Sequence, residues 1–87
     1  MTYSIEFRPS ALRTLRKLDS EQQARIRGAI IILAQDPRPP GSRKLPGREG
    51  YRVRVGNFRI IYAIENARLT ILVVTIGHRR DVYRQGD

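Results

Sequence analysis

Tyr51-Arg52-Val53-Arg54-Val55-Gly56-Asn57-Phe58-Arg59-Ile60-Ile61-Tyr62 organises the rest of this chain, because it reads as a β-hairpin with a definite register. Tyr51, Val53 and Val55 alternate with Arg52 and Arg54, the period-2 pattern of a half-buried strand. Gly56-Asn57 is a pair that tolerates positive φ in a two-residue turn. A turn of that length sets Val55 opposite Phe58, Arg54 opposite Arg59, Val53 opposite Ile60 and Arg52 opposite Ile61. Every large apolar residue except Ile61 then falls on one face. On the other face Arg54 stands directly across from Arg59, with Arg52 two residues along. Like charges directly opposite each other destabilise a sheet, so this face calls for something anionic.

Upstream, Tyr3, Ile5 and Phe7 alternate with Ser4, Glu6 and Arg8 in a short first strand that ends at Pro9-Ser10. Ala11, Leu12, Leu15 and Leu18 recur at helical spacing. Ser20 followed by Gln23 matches a capping box and opens a second helix, whose stripe Ile26, Ala29, Ile30 and Leu33 stops at Asp36-Pro37. Two such helices make an αα-hairpin. Residues 38–47 are a loop by composition, with Leu45 as its anchor into the core. Downstream, the strand through Tyr62 continues to about Ile64. Residues 65–68 turn the chain into Leu69 to Ile76, a nearly continuous β-branched run suited to a central strand, which Gly77 ends. The order β-α-α-β-β-β predicts an α+β fold, a small twisted, mainly antiparallel sheet with the helical hairpin packed on one face. Residues 1–87 read as a single domain, long enough to hide roughly 60% of the unfolded surface.

The chain has no cysteine and one histidine, which excludes disulfides, thiolate metal sites and histidine-rich metal sites. The N-terminus lacks the build of a signal peptide, and the apolar run from Ala29 to Ala34 is too short to span a bilayer. A soluble cytoplasmic protein without membrane partners is expected. The net charge of +9 favours polyanions and acidic partners. Its distribution is uneven. Arg43, Lys44, Arg48, Arg52, Arg54 and Arg59 face only Glu49 between residues 43 and 59, whereas residues 60–77 carry one acid, Glu65, and one base, Arg68. A merely solubilising surface would spread the excess; a patch points to nucleic acid.

The remaining chemistry sits in Gly77-His78-Arg79-Arg80-Asp81-Val82-Tyr83-Arg84. Gly77 permits a sharp departure of the backbone, so His78 and Arg79 are expected to fold over the sheet edge toward the arginine face. There they join Arg52, Arg54 and Arg59, with Tyr83 close by. Asp81 offsets part of the Arg79-Arg80 charge. Arg43, Lys44, Arg48, Arg80 and Arg84 form a wider set of phosphate contacts.

The element order, the hairpin with Phe58-Arg59-Ile60-Ile61-Tyr62, and Ile76-Gly77-His78-Arg79-Arg80-Asp81-Val82-Tyr83 together resemble the RelE side of the RelE/ParE superfamily of bacterial toxins. The resemblance covers nearly the whole chain. It implies a messenger RNA interferase acting in the ribosomal A site, held inactive by an acidic antitoxin that wraps around it, the complex in turn reaching operator DNA. It further implies that Arg52 and Arg54 stand where the family has a basic pair, Arg59 where it has the hairpin arginine, and Arg79 and Tyr83 where it has a catalytic arginine and tyrosine. Well-known members carry lysines in the basic pair, and here both are arginine.

RNA is cut without a metal or cofactor when the ribose 2′-OH attacks the adjacent phosphorus. That step needs a base, cations for the phosphorane charge, and an acid for the leaving 5′-oxygen. Arginine suits the second task, since its planar fork donates two hydrogen bonds to phosphate oxygens and stays charged. It fails the first, with a pKa above about 12. His78, with a reference pKa of about 6.5, and Tyr83, at about 10, are the remaining bases; Tyr83 has stacking on a splayed base as its other role. Two alternatives stand beside cleavage: a ParE-like non-catalytic inhibitor of DNA gyrase, and a plain nucleic-acid-binding module.

Overall fold

The computed structural model describes residues 2–78. Their elements are β1 (Ser4–Phe7), α1 (Pro9–Lys17), α2 (Ser20–Gln35), β2 (Arg43–Lys44), β3 (Tyr51–Val55), β4 (Phe58–Glu65) and β5 (Thr70–His78), with a 3-10 turn at Asn66–Arg68 before β5. The five strands make one mixed sheet in the order β1-β5-β4-β3-β2. β1 runs parallel to β5, and every other neighbouring pair is antiparallel. The α+β architecture expected from the pattern is present.

The central hairpin has the register its turn demands. Tyr51 pairs with Tyr62, Arg52 with Ile61, Val53 with Ile60, Arg54 with Arg59 and Val55 with Phe58. Of the turn pair only Gly56 takes a positive φ, at 60°. That is the pattern of a type II′ turn, whose twist matches that of the flanking strands. One face of the sheet packs on the helices, where Ala11, Leu15, Ile26, Ile30 and Leu33 meet Val55, Ile60, Tyr62, Ile71, Val73 and Ile76. Tyr62 is completely buried there, so its hydroxyl needs a partner, and it donates to the Pro37 carbonyl at 2.7 Å. Burial holds that hydroxyl above the ordinary tyrosine range. Tyr62 also stacks on Tyr51 with centroids 5.9 Å apart, and Arg38 donates from Nε to the Tyr51 hydroxyl at 2.9 Å. These contacts tie the segment leaving α2 to the sheet.

Three local features differ from the sequence expectation. The N-cap of α2 is Asp19 rather than Ser20: its carboxylate accepts from the Gln22 N–H at 2.8 Å, while Gln23 reaches back to the Leu18 carbonyl. Arg43 and Lys44, expected in a loop, form the edge strand β2 against Arg52 and Tyr51. β5 does not stop at Gly77 but runs on to His78, still paired with β4. Ile61, the apolar exception on the outer face, is not exposed. It is 4% accessible and packs with Leu45 (3%) and Val74 in a small second cluster, so Leu45 anchors its loop on the side away from the helices. None of the described helices is long and apolar enough to cross a membrane.

Candidate nucleic-acid interface

Side chains of directly paired residues project from the same face of a sheet. Arg54 and Arg59 are paired, Arg52 follows two residues from Arg54, and Arg43 on β2 is paired with Arg52. All four therefore gather on the outer face. Together with Gly41 and Val53 they line a hollow of about 330 Å³, and none of the described residues lining it is acidic. The four cations are not equivalent. Arg54 is exposed, Arg52 is half-buried, and Arg59 is only 6% accessible. Across from Arg59 on β5 stands Gly77, the one residue type with no side chain to crowd it. A cationic hollow of this kind suits a phosphate, which offers several acceptor oxygens to planar guanidinium forks.

The other sequence candidates are distributed around this hollow. Lys44 pairs with Tyr51, whose ring packs on the helix side, so strand alternation takes it off the arginine face. Arg48 lies in the β2–β3 connection, which is closed by a hydrogen bond from the Leu45 N–H to the Gly50 carbonyl at 3.0 Å. It borders a second hollow on the outer face, lined also by Arg8, Glu49, Ile61, Leu72 and Val74. His78 is where the expectation fails. Because β5 continues through Gly77, His78 pairs with Phe58, and its ring meets the Phe58 ring edge-on with centroids 5.9 Å apart. Phe58 belongs to the helix side, so alternation sets His78 on the opposite face from Arg54 and Arg59. Arg79, Arg80, Tyr83 and Arg84 lie outside the described residues. Arg8 was not singled out from the sequence. Its alternation with Tyr3, Ile5 and Phe7 already assigned it to the outer face, but only the β1–β5 pairing brings it beside the hairpin. Among the described residues, no group of three or more His, Asp or Glu side chains is placed to hold a metal ion.

Comparison with known proteins agrees with this architecture. The model of the ParE toxin of type II toxin-antitoxin systems (parDE) matches residues 5–83. Toxin RelG of Mycobacterium tuberculosis (strain ATCC 25618 / H37Rv) is 30% identical over 93 residues, spanning 98% of this chain and 100% of that protein. The mRNA interferase toxin RelE of Escherichia coli (strain K12) is 24% identical, over 98% of this chain and 94% of its own length. Among solved structures, the toxin-antitoxin complex RelBE2 from Mycobacterium tuberculosis matches with a TM-score of 0.79 at 24% identity, covering 91% of this chain and 100% of that one, which shows the same fold. With the family model spanning most of the chain and the five-stranded fold shared, the protein belongs to the ParE toxin family of type II toxin-antitoxin systems and is a RelE-like toxin.

Proposed function

We propose that this toxin is a metal-independent endoribonuclease that cuts messenger RNA in the ribosomal A site and so arrests translation. The observation that carries the proposal is the Arg54–Arg59 pair, two cations held face to face in a hollow that four arginines line. Arg52, Arg54 and Arg59 neutralise the phosphorane formed when the 2′-OH attacks, and Arg79 adds a fourth guanidinium. With His78 set on the Phe58 side of β5, Tyr83 becomes the stronger candidate for the base, since arginine stays protonated. The site of action is the cytoplasm, where the ribosomes are. A cognate acidic antitoxin covers the arginine face; the relative solved as a toxin-antitoxin complex supports such a partner.

The test is to add the purified chain to ribosomes translating a defined message and to map the 5′ ends. In-frame cuts leaving a 5′-hydroxyl and a 2′,3′-cyclic phosphate or its opened form are expected. A 5′-phosphate means activated water and refutes the mechanism. A second reading, non-catalytic inhibition of DNA gyrase, is favoured by the match to the ParE model and by the separation of His78 from the arginines. It predicts intact message and blocked supercoiling in parallel reactions.

A further inference from the structure

The second hollow on the outer face, of about 330 Å³, adjoins the arginine hollow along β4. Arg59 and Ile61 are two residues apart on that strand, hence on one face and about 7 Å apart. The floor is aliphatic. Ile61, Leu72 and Val74 offer no hydrogen-bonding group, and a sheet surface of this kind accepts a planar ring by contact. Arg8 and Arg48 stand at its rim, and guanidinium planes stack on nucleobases.

Glu49 borders the same hollow and is the only acid between residues 43 and 59. It makes no hydrogen bond or ion pair among the described residues. A carboxylate beside a phosphate site weakens the binding of every RNA alike unless it accepts a hydrogen bond from the base, and an ionised carboxylate only accepts. The backbone holds it in place. The Leu45 N–H bonds to the Gly50 carbonyl, and Gly50, at φ 119°, lies so close to the sheet that a Cβ would sit 3.2 Å from the Tyr62 carbonyl oxygen and 3.3 Å from Leu45 Cδ1. The connection carrying Arg48 and Glu49 is thereby pressed over the floor.

We infer that this floor is a nucleobase subsite, in which Ile61, Leu72 and Val74 receive the base, Arg8 and Arg48 flank it, and Glu49 selects bases that carry an exocyclic amino group. The inference rests on the RNA reading of the arginine hollow. It is tested with the chain labelled for NMR at backbone amides and at Ile, Leu and Val methyls, titrated with inorganic phosphate and with AMP, CMP, GMP and UMP. Phosphate should move only the amides around Arg43, Arg52, Arg54 and Arg59. The mononucleotides should also move the Ile61, Leu72 and Val74 methyls, with UMP weaker than the other three by about tenfold. Leu72→Thr, a β-compatible polar replacement, should weaken all four nucleotides by roughly tenfold and leave phosphate binding unchanged. Glu49→Ala should abolish the discrimination against UMP.

Identical shift maps for phosphate and nucleotides, or unchanged nucleotide affinity in folded Leu72→Thr, would overturn the subsite. UMP binding as tightly as the others in the unmodified chain would overturn the role of Glu49. Cleavage of message is measured separately. A chain whose floor responds to the bases but which cuts no message keeps the subsite and loses the nuclease, whereas one that cuts message with an unresponsive floor loses the subsite alone.

Discussion

Replacing Arg54 by threonine separates structural from functional demand at the centre of the hollow. In a two-residue hairpin the pair flanking the turn is hydrogen-bonded, so Arg54 and Arg59 form the next, non-bonded pair, with Cα atoms about 4.5 Å apart and side chains close. Repulsion between like charges in that position costs ~0.2 to 1 kcal/mol. Arg54 is exposed, so little packing is lost with it, and threonine is a good strand former. The free protein should therefore be as stable or slightly more so, melting up to several degrees higher at about 4–8 °C per kcal/mol. Activity should fall. A guanidinium meeting the phosphorane in a water-poor site contributes about 3 kcal/mol to the transition state, so single-turnover cleavage should slow about a hundredfold. Both measurements belong on one preparation. A variant melting several degrees lower would make Arg54 structural, and one cutting at the parental rate would remove it from the site.

Gly56→Ala places a Cβ at φ 60° and 3.3 Å from an Arg25 guanidinium nitrogen, so it should cost about 1 kcal/mol or more, read as a lower midpoint in urea. Tyr62→Phe removes the donor to the Pro37 carbonyl and should cost about 1 kcal/mol near neutral pH. Because burial raises the Tyr62 pKa in the folded protein, the stability it contributes is complete below the unfolded tyrosine pKa of 10.0 and is lost as pH rises through the higher folded value. Parallel urea titrations should show a steeper loss above pH 10 in the parent than in Tyr62→Phe; equal slopes would mean that Tyr62 ionises freely in the fold. If all four hollow arginines contact phosphates, the affinity for a short single-stranded RNA should fall with salt at a log–log slope of about −3, and Arg52→Gln should reduce that slope by about 0.7.

The hairpin was legible to the residue because alternation and a Gly-Asn turn fix register together; shifting it by one would have buried Arg52 and Arg54. β2 was not legible. Arg43 and Lys44 join the sheet through their backbone, and a two-residue strand carries no periodicity. Asp19 and Ser20 are both competent caps, so composition alone did not choose between them. The arginine cluster followed from the register, but the place of His78 turned on whether Gly77 breaks β5. It does not, since its amide remains in the ladder opposite Arg59, and one further paired residue reverses the face on which the histidine falls. The apolar floor beside the hollow was hidden for another reason: Leu72 and Val74 read as one uninterrupted buried run, and only the sheet order reveals that their side is partly open.

The parallel pairing of β1 with β5 gives the synthesis of this chain a temporal order. Ser4 finds its register partner only in Thr70. At elongation rates of 5–20 residues per second, the first strand waits about 3–13 s for that partner to be made, while the β3–β4 hairpin closes within microseconds of its own emergence. Throughout that interval Ile5 and Phe7 have no strand beside them, and Arg59 lacks the neighbour that encloses it. The basic hairpin can close by local pairing alone, whereas the sheet behind it is complete only once β5 is laid between β4 and β1.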